Sequence, residues 1–501
     1  MRHFIKIWFI VITVIGSSCE DFLEENPKTL LSESSSFSTF DGANNVMIGA
    51  YHYIKGGHTP LINLVCNWSD MIQGRGSWAP NSDWADPLNS TNISRSNGAW
   101  TACYKSINIC NRLLVEVPEL TADQQSKNEL MGEARFLRAL CYHYLVRLYG
   151  PVPVRTEPIS TPGGAEKGVP RSSVEEVYNQ VVVPDLEFAE THCVESWDGQ
   201  NMGRATRWAA KGLLAEVHLT LENWGKARDL AEEVITNGGF SLVQVNAAAD
   251  FSQIYGAEIV KHSEEIFAFK YSHSVDDIGN WMMNLYNGEN GGLYTPSSSG
   301  WRALMVNITS PLVTSWSDQD LRKVFSVTDT MIIDGDTLDV THESRGVKFP
   351  CITKFRDNEA VDWNGGGNDV QVLRLPDMLL IYAEAAAMAN GGAPTALAVE
   401  RLNMVKRRAY GYDPASASPV DYPGVGSYIG TFRDSVLKER AYEFFAESKR
   451  WYDLKRTDQV EEWIEKSFPM EFNDVRLLSP IPPEEIQNNP ALTQDDQNTG
   501  Y

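Results

Sequence analysis

The sequence predicts a mainly α protein: a tetratricopeptide-like superhelical scaffold of helix pairs, with long loop-rich insertions and small β pieces. Three observations predict it. Apolar residues recur at spacings of three and four in several stretches. Two of these stretches close into tight pairs of 31 and about 33 residues, near the tetratricopeptide period. The long segments between them keep neither a helical nor a strand period for long.

In chain order, Arg135–Tyr149 puts Phe136, Leu137, Leu140, Tyr144, Leu145 and Leu148 on one helical face, and Gly150-Pro151 stops it. Ser173–Glu190 is the next helix, with Ser172 or Ser173 as N-cap and Glu175 and Glu176 in the first turn. Thr206–Leu221 and Trp224–Thr236 form one tight pair, closed by Asn237-Gly238-Gly239. Asp377–Asn390 and Pro394–Arg408 form another, joined through Gly391-Gly392, and Phe432–Arg456 reads as one long helical stretch. A single helix pair cannot bury its own apolar face, so the units must stack. The insertions are Gly56–Trp100 and Ser241–Val370. The second holds alternating segments at Glu265–Tyr271 and Thr328–Asp339, with a hairpin turn at Asp334-Gly335.

The 501 residues are 43% apolar and 22% charged, an ordinary globular composition. A formal charge of −23 argues against a nucleic-acid binder, which needs a clustered basic footprint. Arg2 and Lys6, the apolar run Ile7–Ile15 and the small residues Gly16, Ser17 and Ser18 lay out a signal peptide over residues 1–18. Cys19 follows directly, as in a bacterial lipobox, and would become the acylated N-terminus of a membrane-anchored lipoprotein. Glu20, Asp21, Glu24 and Glu25 then form an acidic tether. The other six cysteines show no metal-like spacing, and most sit in helical patterns as buried thiols.

At this point the chain resembles the SusD/RagB family of outer-membrane nutrient-binding lipoproteins of Bacteroidetes. The residues that carry the resemblance are the start Cys19–Pro27, the helix and exit turn Ala134–Pro153, and Gly203–Val217. Val372–Ala385, Glu439–Arg456 and the tail Leu477–Gln494 add to it, with Ser448 standing where the family usually has glycine. The resemblance implies a single domain over 19–501, with an N-terminal part at 19–240 and a C-terminal part with ligand loops at 241–501. It implies a lipid-anchored protein on the extracellular face of the outer membrane. There it would hold a glycan or other nutrient and serve as lid to a TonB-dependent, SusC-like transporter. It implies no catalysis. The arginines and acids of these blocks, among them Arg138, Arg374, Glu384, Glu443 and Asp453, read as ion pairs between helices.

Two windows carry the residue types that suit a sugar, whose C–H faces stack on rings while its hydroxyls bond amides and acids. Between Cys66 and Trp100 lie Trp68, Trp78, Trp84 and Trp100, with Asn67, Asp70, Gln73 and Arg75 among them. Between Tyr271 and Trp301 lie Trp281, Tyr286 and Tyr294, with Asn280, Asn284, Asn287 and Asn290. Trp100 reads as core by its helical spacing to Tyr104 and Ile107, and Trp68 as similarly doubtful. The candidate ligand residues are therefore Trp78, Trp84, Trp281, Tyr286, Tyr294, Asn67, Asp70 and Asn284. No catalytic motif and no metal site is assigned: Asp318, Asp320, Asp334 and Asp336 lack a calcium-loop spacing, and His143 and His218 fall in helical patterns. The competing readings are a binder of peptides or other nutrients, an α/α glycoside hydrolase, and a scaffold with protein partners only.

Overall fold

The computed structural model of the chain describes residues 36–159, 168–273, 279–280, 285, 303–333, 336–344, 346–357, 359–360, 365–424 and 431–501. The helices that matter are α1 (Phe40–Asn67), α2 (Ser90–Glu116), α3 (Gln124–Tyr149), α4 (Val174–Val177), α5 (Val183–His192), α6 (Arg207–Thr220) and α7 (Trp224–Asn237). They continue in α8 (Leu375–Ala389), α9 (Ala396–Ala409), α10 (Phe432–Glu443), α11 (Arg450–Arg456) and α12 (Val460–Ser467). Their starts follow from capping. Asp123 accepts from the Ser126 N–H, Thr206 from Ala209 and Thr395 from Ala398, and Ser173 forms a capping box with Glu176. Pro184 has no N–H to give to the helical ladder. The turn before it, Tyr178–Val182, widens to π spacing, and the stretch read as one helix becomes α4 and α5.

The helices stack side by side: α1 on α2, α2 on α3, α3 on α5, α5 on α6, α6 on α7, α7 on α8, and α8 on both α9 and α10. This is the expected superhelix of antiparallel pairs, and one continuous buried cluster runs through it from Ala43 to Ile481. Among the described residues Cys103, Cys110, Cys141 and Cys193 are free thiols and buried, and Cys351 is buried with its thiol donating to Val340 C=O. No described helix is long and apolar enough to cross a membrane.

Two further sequence expectations change. The first insertion is much shorter than Gly56–Trp100, because α1 continues through Gly56 to Asn67 and α2 begins at Ser90. Long packing of α1 against α2 overrides the local glycine signal. The stretch Phe432–Arg456 is two helices, not one: Ala446 (φ +62°) and Ser448 (φ +63°) are left-handed between α10 and α11. That conformation explains the family's glycine at position 448. The break aims Glu447 at Lys354 and Arg374, and Lys449 at Glu216 and Asp377.

The β pieces are two-stranded antiparallel ribbons. Strand β1 (Ile72–Gly74) pairs with β3 (Leu304–Val306), and β2 (Glu265–Phe269) with β8 (Val370–Arg374). The hairpin β4–β5 (Thr330–Ile333, Asp336–Asp339) brackets Asp334-Gly335 with the pair Ile333–Asp336, as its turn signal predicts. The hairpin β6–β7 (His342–Ser344, Val347–Phe349) follows.

The predicted stop at Gly150 has a specific cause. Its backbone sits at φ +71°, ψ −134°, and a Cβ there would lie 3.0 Å from Leu478 Cδ1. Gly150→Ala is expected to cost about 1–3 kcal/mol, read as a lower urea midpoint with an unchanged slope.

Candidate functional site

The β1–β3 ribbon joins the two aromatic windows. Its register sets Ile72 against Val306, Gln73 against Met305 and Gly74 against Leu304, and Arg75 N–H donates to Ala303 C=O at 2.9 Å. The first window therefore begins where the second one ends. The entry of the second window is pinned at its other side. Tyr271 N–H donates to Asp369 at 3.0 Å, the Tyr271 hydroxyl to Lys55 C=O at 3.1 Å, and the Asn280 amide to Asn368 C=O at 2.9 Å.

Past Arg75 the chain turns at left-handed Gly76 (φ +55°) into a 3-10 segment, Gly76–Ser82. Trp78 lies in this segment at 6% exposure, with the Arg95 guanidinium carbon 3.9 Å above its ring. Arg95, from the second turn of α2, donates to Ser77 C=O at 2.9 Å, to Ser77 Oγ at 3.1 Å and to Asn92 Oδ1. Burial lowers the Arg95 guanidinium from its ordinary value. Arg75 reaches across to the second insertion, its Nη1 lying 2.9 Å from the ring nitrogens of His342 at the start of β6. Arg75 and Arg95 are half-buried, and Gly76, Ser77 and Ala79 are exposed. These groups make a rim of mixed ring, guanidinium and hydroxyl character.

Three sequence candidates move. Trp84 is fully buried, stacked on Trp451 (5.4 Å between ring centres, 20°), with Phe468 and Phe472 against it and Arg476 over its ring. It has no face left for a ligand. Asn67 is buried and ties the 3-10 segment down, bonding Trp78 C=O at 3.5 Å and Ser82 Oγ at 3.3 Å. Asp70 is buried in a two-bonded pair with Arg450 at 2.9 and 3.0 Å. Trp78 remains at the rim, but Arg95 covers its ring, so it presents no bare stacking face. Trp281, Tyr286, Tyr294 and Asn284 lie outside the described residues, as does Cys19. Trp68 and Trp100 are core, as are His143 and His218.

Sequence reasoning passed over Arg95 and His342. A signal existed for Arg95: its helical neighbours at three and four positions are Thr91, Asn92, Gly98 and Ala99, none of them an acid to pair with it. For His342 there was none, since only the ribbon and hairpin bring it to Arg75.

The strongest acid cluster is elsewhere and is structural. Arg374 and Arg408, both fully buried, are held by Glu264 and Glu443, and Arg374 also by Glu447. Arg138–Asp185 (2.7 Å), Arg147–Glu216 (2.9 Å), Arg433–Glu384 (2.9 Å) and Arg440–Asp453 (2.8 Å) are the expected interhelical pairs. Asp318 and Asp320 are engaged by Lys323 and Arg322. Among the described residues no group of three or more His, Cys, Asp or Glu is placed to hold a metal.

A stack of helix pairs whose long insertions meet at one rim is a scaffold of the SusD type. The chain belongs to the SusD family: a model described as "SusD family" matches residues 263–501, and one described as "Starch-binding associating with outer membrane" matches residues 21–219. It is similar to SusD-like protein P25 of Formosa agariphila, 24% identical over 97% of each chain. It is also similar in fold to a SusD homolog from Bacteroides thetaiotaomicron (TM-score 0.75, 21% identical, covering 94% of this chain and 99% of that one). A third likeness is to surface glycan-binding protein A of the same organism, in complex with laminarihexaose (TM-score 0.72, 18% identical, 92% and 100% covered).

Proposed function

We propose that this protein is a glycan receptor, lipid-anchored through Cys19 to the outer face of the outer membrane. It captures oligosaccharides at the rim built from its two insertions and delivers them to a TonB-dependent, SusC-like transporter. The observation that carries this reading is the β1–β3 ribbon, which pairs a strand of the first aromatic window with the strand that follows the second in sequence, on a rigid helical scaffold. The glycan-binding and laminarin-binding SusD-like proteins of the same fold support it. The function is binding without chemistry. The densest carboxylates of the described residues are locked to guanidiniums, whereas a hydrolase needs two facing each other across an open cleft.

The test is native affinity electrophoresis of residues 20–501 through gels holding single polysaccharides, neutral and charged. Retardation by at least one, lost on competition with its oligosaccharides, is the expected result. Retardation by none, with saturable binding of peptides in calorimetry, would favour the peptide-nutrient reading. Cys19→Ala in the full-length protein is expected to move it from the membrane fraction to the soluble fraction.

A further inference from the structure

We infer that the glycan taken at this rim is anionic, carrying carboxylate or sulfate groups that the Arg95 guanidinium receives beside Trp78. This rests on the glycan-receptor reading and adds the charge class of the ligand.

In a chain of formal charge −23, arginines of the described core are clasped by acids: Arg138 by Asp185, Arg374 by Glu443 and Glu447, Arg407 by Glu400 and Asp421. Arg95 is different. Its hydrogen bonds go to Ser77 C=O, Ser77 Oγ and Asn92 Oδ1, all neutral, and its flat face lies on the Trp78 ring. Arg171, Arg476 and Lys455 also lack a carboxylate, but they are explained by the fold. Each donates to backbone carbonyls of the α3 exit turn, the first insertion or the tail, such as Pro151, Asn81 and Leu477. Arg95, half-buried as Arg171 and Lys455 are, instead bonds only Ser77, and Asn92 of its own helix, and Ser77 is exposed.

Its bonds to Ser77 use Nη1 and Nη2, so the Nε edge makes no hydrogen bond within the described protein. Nε–H and the adjacent Nη2–H form the side-on fork that matches a carboxylate or sulfate. Ser77 and the Trp78 ring hold the fork in place, so little freedom is lost when an anion arrives. Arg75, one turn ahead of Trp78, is a second arginine of the rim, against His342. A sugar acid fits this arrangement: its charged group meets the fork, and its ring hydroxyls reach exposed Ser77.

The bland alternative is that Arg95 only pins the 3-10 segment. The two roles differ in one readout, the ratio of anionic to neutral binding. Wild type, Arg95→Gln and Arg95→Lys, each checked for an unchanged circular dichroism spectrum, are run at fixed salt against polygalacturonate, dextran sulfate, laminarin and dextran. The expected result is retardation by polygalacturonate or dextran sulfate, weakened about tenfold in Arg95→Gln and less in Arg95→Lys. Retardation by a neutral polymer should change by less than about twofold. A response to polygalacturonate alone assigns a carboxylate, and to dextran sulfate alone a sulfate ester. Retardation by neutral polymers only, or equal weakening of all polymers by Arg95→Gln, overturns the anionic assignment and leaves the receptor reading standing. No retardation by any polysaccharide overturns both.

Discussion

Glu443→Ala is expected to destabilise the protein by about 3–5 kcal/mol, a large share of the ~5–15 kcal/mol that holds a folded protein together. Glu443 is buried and accepts from three guanidiniums: Arg374 and Arg408 on one oxygen and Arg322 (2.9 Å) on the other. Its backbone carbonyl takes a fourth bond from Arg374 Nη2 at 2.9 Å. Removing the carboxylate leaves three buried cations sharing fewer acids, and Arg374 and Arg408 have no route to water. Burial alone would raise the Glu443 carboxyl, but Arg408, Arg374 and Arg322 outweigh it and hold it well below the usual carboxylate range. A depressed acid contributes its stability fully above the unfolded value, near 4.3, and loses it as pH falls toward the folded one. Urea midpoints at pH 7 should therefore show a larger gap between wild type and Glu443→Ala than midpoints at pH 3, where part of the contribution is lost. Glu443→Ala combined with Arg408→Met should recover part of the loss, because the second change removes a stranded charge. An additive double mutant would mean that the two side chains do not act as a pair.

The helical scaffold was legible because its signals are local. Phe136, Leu140 and Tyr144 repeat at helical spacing, Ser173 precedes Glu175 and Glu176, and Gly150-Pro151 ends the helix. Each of these features decides structure within one turn of itself, and the structure has them all. The errors arise where a distant partner decides. Gly56 looks like a break, yet α1 runs through it because α2 lies along its length. The fracture between α10 and α11 was hinted at only by Ser448 at a glycine position, and its cause is a cluster gathered from Lys354, Arg374 and Glu216. The site suffered most. Residue type singled out both windows, but type cannot distinguish an indole aimed outward from one aimed at Trp451. Arg95, by contrast, was findable from what its helix lacks.

Trp84 makes that distinction measurable. As a ligand residue, Trp84→Ala would weaken glycan binding and leave stability near that of wild type. As the structure has it, the order reverses: a loss of about 3–5 kcal/mol is expected, since a large ring leaves a cavity between Trp451, Phe468 and Phe472. Trp84→Phe should cost far less. It keeps a ring against Trp451 and removes an indole N–H that is buried without a hydrogen-bond partner. Any effect on binding should follow indirectly. Arg476 lies over the Trp84 ring and donates to the carbonyls of Pro80 and Asn81, at the end of the segment that carries Trp78. Loosening Trp84 therefore loosens the rim from below. Urea unfolding and affinity electrophoresis on the same two variants separate the cases. Binding that falls while stability holds would put Trp84 back among the ligand residues. Stability that falls first, with binding following it in Trp84→Ala and both preserved in Trp84→Phe, fixes it as the buried post on which the first insertion stands.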